Sequence, residues 1–420
     1  MKLPEYLTHF HTFSNGLRLV VVELPDAYTV SCGIFARVGS RYEEREKMGL
    51  SHFIEHLLFR GSKRYGAREI TQLIEGEGGA LNAYTAEEST CYHVKTFPDN
   101  LMKSLDILVD MFCSPSFSEA DVTRERGVIC EEIRSHLDHS QEYIADLFSR
   151  LVWKEHPLGN CVMGREEQIQ SYTVDDLYDF YKSYYCAANT TIAIAGAVDH
   201  RELFDWIAKN EERFAIGPAS HYLPCEGDKA VQDVVYEEKE GEQTYLQFGT
   251  PCCNRYSPER WPAALCSTIL GGNMSSRLFE TIREELGYAY HIVSDVEFYE
   301  DTGCFSVECS TEPNNALACY EKSMEVIRLL ANSVDEAELV RAKRYLVGQF
   351  AQEMEDTMDT MLSAGDKLMA NEKREEFSVQ QMVRSIESVS LGQVTEFAKK
   401  IVAQPCWSLA LIGPKQWNFF

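Results

Sequence analysis

The two halves of the chain repeat one order of strands and helices. Apolar runs predict the strands of the first half at residues 17–22, 28–38, 80–84, 90–96 and 190–198. They predict the strands of the second half at residues 234–236, 244–249, 288–297, 303–308 and 407–412. In both halves one helix follows the second strand and longer helices follow the fourth. This duplication predicts an α+β fold of two homologous α/β sandwich domains, each a mostly antiparallel sheet with helices packed on it.

The length of the chain agrees with two domains, because 420 residues are more than a single core usually supports. Residues 216–232 contain Gly217, Pro218 and Pro224 and have the composition of a linker. We therefore predict an N-terminal domain at residues 1–215, a linker at 216–232 and a C-terminal domain at 233–420.

The composition excludes some classes of protein. A formal net charge of −26 argues against nucleic-acid binding, which needs concentrated Lys and Arg. It permits basic peptides as substrates, if acidic residues such as Glu43 and Glu88 line a chamber; a solvated acidic surface is the alternative. No apolar run approaches the length of about 18 residues that a membrane span needs.

The expected location is the cytoplasm. The first residues resemble neither a signal peptide nor an organellar presequence, although a segment removed earlier would leave no trace. The 14 cysteines are scattered and contain no C-x-x-C pair, which favours free thiols in a reducing compartment. We assign no function to the adjacent pair Cys252 and Cys253.

The first helix carries a metal-ligand pattern. His52 and His56 are four residues apart, so both side chains lie on one helix face and can bind one Zn²⁺. Glu55 lies beside them, where a carboxylate can exchange a proton with an attacking water. The alternative is an amphipathic helix whose apolar residues pack a core and whose histidines are incidental. The order His-x-x-Glu-His is the inverted form of the zincin motif.

A catalytic zinc site also needs a third protein ligand. The carboxylate-rich segment at residues 119–139 is predicted to be a helix, and its Glu125 and Glu132 are seven residues apart and share a face. One of them can be a ligand and the other can support a ligand. Glu131 points elsewhere, whereas His136 shares the face of Glu132 and is a rival ligand.

The second half lacks these ligands. When Arg41 is aligned with Arg255, His52, Glu55 and His56 fall opposite Cys266, Ile269 and Leu270. We therefore expect one zinc ion per chain.

These residues resemble the pitrilysin/insulinase family of inverted-zincin peptidases, closest to its short-chain branch that is similar to mitochondrial processing peptidase. The resemblance begins with the order His52, Glu55, His56 and Glu132 and extends from about residue 15 to about residue 413. Further stretches match in chain order at residues 78–85 (GGALNAYT), 156–159 (HPLG), 189–196 (NTTIAIAG) and 271–279 (GGNMSSRLF). In the last stretch Asn273 replaces the third glycine of the family.

The resemblance implies roles for particular residues. Glu132 would be the third zinc ligand and Glu125 would orient a metal-binding histidine. Asn82 and Ala83 would lie on the edge strand that binds substrate, where Phe59 would either shape a pocket or pack in the core. The remaining pair, Arg283 and Tyr290, would stabilise the charge that develops on the substrate carbonyl.

The resemblance also implies an assembly. A complete enzyme of this family resembles a clamshell of four such domains, and this chain supplies two, so a homodimer is the simplest unit. Arg283 and Tyr290 would then act on the zinc site of the partner chain. The predicted function is a zinc metalloendopeptidase that cleaves unfolded peptides or presequences inside a dimeric chamber. The alternative is a non-catalytic scaffold or partner subunit, against which the intact set of zinc-site residues argues.

Overall fold

The computed structural model describes residues 6–225, 233–370, 377–404 and 407–414. The predicted linker at residues 216–232 therefore lies partly outside the described residues. The described chain forms two compact units. Unit 1 combines described residues of Met1–Ile133, Asn160–Leu223 and Phe350–Gln380, and unit 2 those of Arg134–Gly159, Pro224–Gln349 and Gln381–Phe420. This grouping follows spatial contacts, and the domain boundaries inferred from the duplication stay a prediction.

Unit 1 contains a six-stranded sheet with the order β1-β2-β6-β3-β5-β4. Its strands are β1 (Leu7–Thr12), β2 (Arg18–Glu23), β3 (Val30–Ala36), β4 (Ala80–Thr85), β5 (Thr90–Thr96) and β6 (Thr190–Gly196). The β2–β6 pair is parallel and the other neighbouring pairs are antiparallel. Strand β1 is an addition, because the apolar pattern predicted the first strand only from residue 17.

Unit 2 contains a five-stranded sheet with the order β7-β11-β8-β10-β9. Its strands are β7 (Val234–Glu238), β8 (Thr244–Cys252), β9 (Ala289–Phe298), β10 (Gly303–Thr311) and β11 (Ser408–Gly413). Here too one pair is parallel, β7 with β11, and the other neighbouring pairs are antiparallel. The order repeats that of β2, β6, β3, β5 and β4 in unit 1. The predicted fold of two related, mostly antiparallel sheets with helices is therefore confirmed.

The described helices connect these strands. The first eight are α1 (Leu50–Leu58), α2 (Ala67–Ile74), α3 (Leu101–Cys113), α4 (Glu119–Asp138), α5 (Ser140–Trp153), α6 (Glu166–Ser171), α7 (Val174–Tyr184) and α8 (His200–Asn210). The others are α9 (Arg260–Leu270), α10 (Ala316–Ser333), α11 (Glu336–Glu353), α12 (Thr357–Ala370), α13 (Val379–Ser388) and α14 (Leu391–Val402). A π-helical segment, Phe279–Glu285, precedes β9.

Helices cover both faces of the sheet in unit 1, which explains why all of β3 is buried. Cys32, Ile34 and Ala36 belong to the core that also contains α1 and α3. On the other face, the position of a Cβ on Gly33 would lie 2.7 Å from Met361 Sδ of α12. The two faces of β3 therefore pack against helices that are far apart in sequence, and neither face is open to solvent.

Candidate metal centre

The geometry of α1 is fixed at its first turn. Gly49, just before the helix, has a φ of 86°, and a Cβ there would lie 2.6 Å from Met163 O, so glycine is required. The buried carboxylate of Glu43 accepts hydrogen bonds from the backbone N–H groups of Gly49, at 2.7 Å, and Ser51, at 2.6 Å. It thereby satisfies donors that a helix start leaves unpaired. Burial raises the pKa of Glu43 to about 7, against the hydrogen bonds from Ser51 and Gly49, which lower it.

The apolar face of α1 fixes the rotation of the helix. Phe53, Ile54, Leu57 and Leu58 are fully buried in the core of unit 1. Burying each of these side chains contributes roughly 1.5–3 kcal/mol. The core-packing interpretation of this helix is thus correct for its apolar residues, and it leaves the histidines on a separate face.

Three potential ligand atoms converge beside that face. Oε2 of Glu132, on α4, lies 3.3 Å from His56 Nε2 and 3.7 Å from His52 Nε2. The two imidazole rings are 4.7 Å apart between centroids and are inclined by 68°, so their nitrogens point toward a common position. We call His52, His56 and Glu132 the helix cluster.

The spacing of the helix cluster fits a zinc ion. Ligands placed about 2.0–2.1 Å from a tetrahedral ion lie roughly 3.3–3.5 Å from one another. The separations of 3.3 and 3.7 Å to the Glu132 oxygen are close to that value. Two imidazole nitrogens and one carboxylate oxygen are also a common donor set for catalytic zinc, with a position left for water. The residues present therefore fit the metal that the motif predicts.

The electrostatics of the two histidines differ. Burial and the neighbouring His56 lower the pKa of His52 to about 4, so that ring is neutral and offers a lone pair. Burial also lowers the pKa of His56, but hydrogen bonds to Glu125 and Glu132 outweigh it and raise the pKa to about 9. The carboxylates that favour a proton on His56 equally favour a bound cation.

Glu125 occupies the other side of the His56 ring. Its Oε2 lies 3.2 Å from His56 Nδ1, and its Oε1 forms an ion pair of 2.5 Å with Arg60 Nε. Although burial raises its pKa, the contacts with His56 and Arg60 lower it overall, so the carboxylate is ionised. This arrangement directs Nε2 of His56 toward Glu132, as expected for a carboxylate that orients a metal-binding histidine.

Glu55 is held by a strand as well as by its own helix. The hydroxyl of Thr85, the last residue of β4, donates a hydrogen bond of 2.5 Å to Glu55 Oε2. Burial raises the pKa of Glu55, while the Thr85 hydrogen bond and the charge of His56 lower it. A carboxyl group with a raised pKa next to potential metal ligands is suited to accept and return a proton.

The predicted substrate strand lies at the edge of the sheet. Strand β4 ends the strand order and pairs with β5, with Asn82 opposite His93 and Ala83 opposite Tyr92. The N–H of Ala83 donates to Asn82 Oδ1 at 2.9 Å, which shows that this N–H is directed away from β5. Phe59, at the end of α1, is half-buried and packs against the core of unit 1.

The alternative ligands do not join the helix cluster. Glu131 is exposed and, among the described residues, is not part of a group that could hold a metal. His136 belongs to unit 2, where its Nε2 lies 2.9 Å from Asp146 Oδ2 and its Nδ1 lies 3.6 Å from Glu142 Oε2. Both ring nitrogens of His136 thus face carboxylates of α5.

Arg283 and Tyr290 lie together in unit 2. The Arg283 guanidinium carbon is 4.8 Å from the centroid of the Tyr290 ring and 4.6 Å from that of Phe279. Tyr290 is 77% exposed and lies on β9, an edge strand of its sheet. The two side chains form a cation–π pair whose phenol is open to solvent.

The duplicated helix in unit 2 has different chemistry. Cys266, Ile269 and Leu270 of α9, the positions opposite the zinc-site residues, are buried. Burial raises the pKa of the Cys266 thiol to about 12, so it is not a ready metal ligand.

Some residues around the site were not singled out from the sequence. Thr85 lies inside the stretch GGALNAYT, and a hydroxyl near an edge-strand motif was its only sequence signal. Arg60 had no sequence signal, and Glu43 was named only as a possible acidic residue of a chamber, because the partners of both are set by the packing of α1. Glu43 and Glu88 are both buried, the latter paired with Arg41 at 2.6 Å, so these two acidic residues do not contribute to an exposed acidic surface.

Comparisons with known proteins identify the family. Residues 18–166 match the profile of "Insulinase (Peptidase family M16)", and residues 171–346 match "Peptidase M16 inactive domain". A protein of Streptomyces coelicolor named uncharacterized zinc protease is 32% identical, covering 96% of this chain and 89% of its own. A Bacillus subtilis protein with the same designation is 29% identical, and the alignment covers 96% of this chain and 98% of that protein. The chain therefore belongs to the insulinase family, peptidase family M16, as its sequence motifs indicated.

Solved structures show the same fold. A protease from Helicobacter pylori superimposes with a TM-score of 0.89 at 22% identity, covering 98% of this chain and 100% of the other. A peptidase M16 inactive domain from Pseudomonas fluorescens gives a TM-score of 0.89 at 18% identity, and the superposition covers 98% of this chain and 99% of the other. The names of the relatives support a peptidase-like role and the use of zinc in the family. Within the described part of the chain, no helix is long and apolar enough to cross a membrane.

Proposed function

We propose that this protein is a zinc-dependent endopeptidase that cleaves unfolded peptides or presequences in a chamber formed by two copies of the chain. The observation that carries the proposal is the convergence of His52 Nε2, His56 Nε2 and Glu132 Oε2, with Glu55 beside them and a free sheet edge adjoining. A scaffold has no physical need for this combination. The free thiols of the described cysteines suit action in the cytoplasm.

In this proposal His52, His56 and Glu132 hold the one catalytic zinc ion of each chain. When bound, zinc supplies a Lewis acid that polarises the peptide carbonyl and favours deprotonation of the attacking water. The Thr85 hydroxyl donates a hydrogen bond to Oε2 of Glu55. Oε1 is therefore the oxygen that takes the proton from water and returns it to the leaving amine. Glu125 keeps the His56 ring in position through Nδ1.

The substrate binds as an added strand along β4. The Ala83 N–H, now bonded to the Asn82 side chain, is directed toward the free edge and can donate to a peptide carbonyl. Only an extended peptide can pair in this way, so the substrate must be unfolded at the cleavage site. Arg283 and Tyr290 of the second copy stabilise the charge on the carbonyl oxygen. Basic peptides are favoured, because the chain carries a net charge of −26.

The second candidate function is a non-catalytic partner subunit. The match of residues 171–346 to an inactive domain, with the helix-cluster positions of that half occupied by buried Cys266, Ile269 and Leu270, favours it in part. A chain of this kind could pair with a related catalytic chain. Metal-free protein without turnover would be its signature.

The first experiment separates metal binding from proton transfer. The protein is loaded with Zn²⁺, dialysed, and assayed on an unstructured basic peptide, with the retained zinc measured in parallel. We expect Glu55→Gln to retain zinc and to lose roughly 10²–10⁴-fold in kcat. Glu131→Gln is the matched control, because it changes an exposed glutamate in α4 and should leave both quantities at the wild-type level. A Glu55→Gln protein with wild-type turnover would refute the mechanism.

The second experiment tests the two-chain chamber. Glu55→Gln and Arg283→Ala proteins, each inactive, are mixed under conditions in which labelled subunits are shown to exchange. Mixed dimers contain one zinc site with Glu55 facing Arg283 of the other chain, so partial recovery of activity is expected. Proven exchange without recovery would overturn the action of Arg283 on a second chain, and it would leave the zinc chemistry intact.

A further inference from the structure

A second group of two histidines and one glutamate lies elsewhere in unit 1. His9 on β1, Glu23 at the end of β2 and His200 at the start of α8 place three potential ligand atoms within 4.8 Å of one another. We call these residues the strand cluster. The register pairs Leu7 with Glu23 and His9 with Val21, so His9 and Glu23 are diagonal neighbours on one face of the sheet.

A helix-capping role explains only part of the strand cluster. Glu23 Oε1 accepts hydrogen bonds from His200 Nδ1, at 2.7 Å, and from the His200 backbone N–H, at 3.3 Å. These contacts suit a carboxylate at the start of α8. They do not involve His9, whose Nε2 lies 3.5 Å from the same oxygen and, although buried, has no hydrogen-bond partner among the described residues. A buried ring nitrogen that lies near a carboxylate, itself shared with a second imidazole, but makes no hydrogen bond leaves a place beside these groups for a bound ion or a water.

We propose that His9, Glu23 and His200 form a second site for a divalent transition-metal ion of the Zn²⁺ class. Imidazole and carboxylate donors together suit Zn²⁺, Co²⁺, Ni²⁺ and Cu²⁺ rather than Ca²⁺ or Mg²⁺. The three side chains are partly exposed, with His9 at 34%, His200 at 29% and Glu23 at 17%, so an ion can enter from solvent and keep water as its remaining ligands. This proposal does not depend on the proposed peptidase function.

The ring geometry sets the expected affinity. The rings of His9 and His200 are stacked at 3.5 Å between centroids and are inclined by only 5°, so their nitrogens do not yet converge. Binding therefore requires at least one ring to turn and to give up the stacking contact. Among the described residues, neither histidine has a further carboxylate on its other nitrogen comparable to Glu125. We expect the second ion to bind about 10–100-fold more weakly than the first, which is the effect of losing such a supporting residue.

An ion in this position would tie β1 to the rest of unit 1. Strand β1 ends the sheet order and pairs with β2, while His200 lies at the start of a helix. A bond from His9 through the ion to His200 would restrain the edge strand without a new apolar contact. Amide exchange in Leu7–Thr12 should then slow when the second ion binds.

The test is a calorimetric titration of the full-length, metal-free protein with Zn²⁺, repeated with Co²⁺ for its absorption spectrum. We expect two binding events in the wild type and loss of the weaker one in His9→Asn and in His200→Asn. His11→Asn is the matched control, because it removes an exposed histidine of the same strand and should keep both events. Circular dichroism establishes that each variant is folded.

Hydrogen exchange gives a second measurement. Addition of Zn²⁺ beyond the first equivalent should slow exchange of the β1 amides in the wild type and in His11→Asn, but not in His200→Asn. A wild type without any Zn²⁺-binding event that the His9→Asn, His200→Asn double variant lacks would overturn the proposal. So would a weaker event that persists in a His9→Asn, His200→Asn double variant. Neither result would bear on the helix cluster, because the tight event belongs to other residues.

Discussion

The helix cluster and the strand cluster each consist of two histidines and one glutamate. They differ in how the imidazole rings are oriented and in which residues support them. In the helix cluster the imidazole rings are inclined by 68°, and Glu125 holds the far nitrogen of His56. In the strand cluster the rings are parallel within 5°, and His9 has no such support among the described residues. Composition alone therefore does not decide how well a cluster is arranged to hold a metal ion. The difference lies in the residues that hold the ligands in place before the ion arrives.

The largest expected difference comes from removing the carboxylate of each cluster. Glu132→Ala should lose tightly bound zinc and reduce peptide turnover to the level of a reaction without enzyme, because two histidines alone hold the ion poorly. Glu23→Ala should keep the tight ion and full turnover. Zinc content after dialysis and initial rates check both. Equal loss of turnover in the two variants would show that the clusters do not have separate roles.

A smaller effect is expected from the support of His56. Glu125→Gln keeps the shape of the side chain but removes the charge that orients the ring and pairs with Arg60. Zinc affinity should fall about 10–100-fold, as is typical for such supporting residues. Competition with a chromogenic chelator measures it. Glu131→Gln is the control on the same helix, and an unchanged affinity in Glu125→Gln would mean that burial alone orients His56.

Glu55 provides a further contrast, since no acid–base residue held by a neighbouring strand lies at the strand cluster in the part of the chain that the structure describes. Thr85→Val removes the hydroxyl that donates to Glu55 at 2.5 Å and preserves the size of the side chain. A hydrogen bond to a charged group is worth about 1.5–3 kcal/mol, so kcat should fall at least about tenfold. KM and zinc content should not change. Thr85→Ser should restore most of the rate, and a Val variant as active as Ser would show that Thr85 acts only by packing.

The smallest expected effect concerns His136, a histidine with carboxylate neighbours but no ligand role in either cluster. The hydrogen bond with Asp146 raises the pKa of His136 in the folded protein. Its stabilising contribution is therefore complete below the unfolded pKa of about 6.5 and is lost as pH rises through the higher folded value. His136→Gln should lower the free energy of unfolding at pH near 6 more than at alkaline pH.

Urea unfolding at several pH values measures this effect, with His221→Gln as an exposed control. The zinc content of His136→Gln should equal that of the wild type. If this variant lost zinc, the rival ligand would have been the correct choice and Glu132 the wrong one.

The sequence was sufficient for the parts of the fold that depend on local pattern. Alternating or continuous apolar residues predicted ten of the strands, and the duplication predicted two related domains with the same order of strands and helices along the chain. Strand β1, with the sequence LTHFHT, was not predicted, because its histidines and threonines interrupt the apolar pattern. Nor does any local signal indicate that α12 covers β3, since that contact joins residues more than three hundred positions apart.

The candidate site also has residues that the sequence predicts and contacts that only the structure shows. The spacing of His52, Glu55 and His56 is a property of one helix, so the motif alone places them on it. Glu132 was selected by resemblance, and the structure brings its carboxylate beside both histidines. The contacts of Thr85 with Glu55 and of Glu43 with the start of α1 depend on how distant segments pack. Such contacts leave no periodic trace in a sequence.

The free edges of the two sheets have a consequence for the behaviour of the protein at high concentration. An edge that accepts a peptide strand can also accept a strand of another protein, which leads to aggregation. Strand β4 is only six residues long, and the Asn82 side chain covers the Ala83 N–H until a competing acceptor displaces it. Strand β9 is longer, at ten residues, and carries the acidic residues Asp295 and Glu297. The β4 edge is thus protected by a removable amide and the β9 edge by charge, so the proposed binding of a peptide strand to β4 is compatible with a protein that stays dispersed.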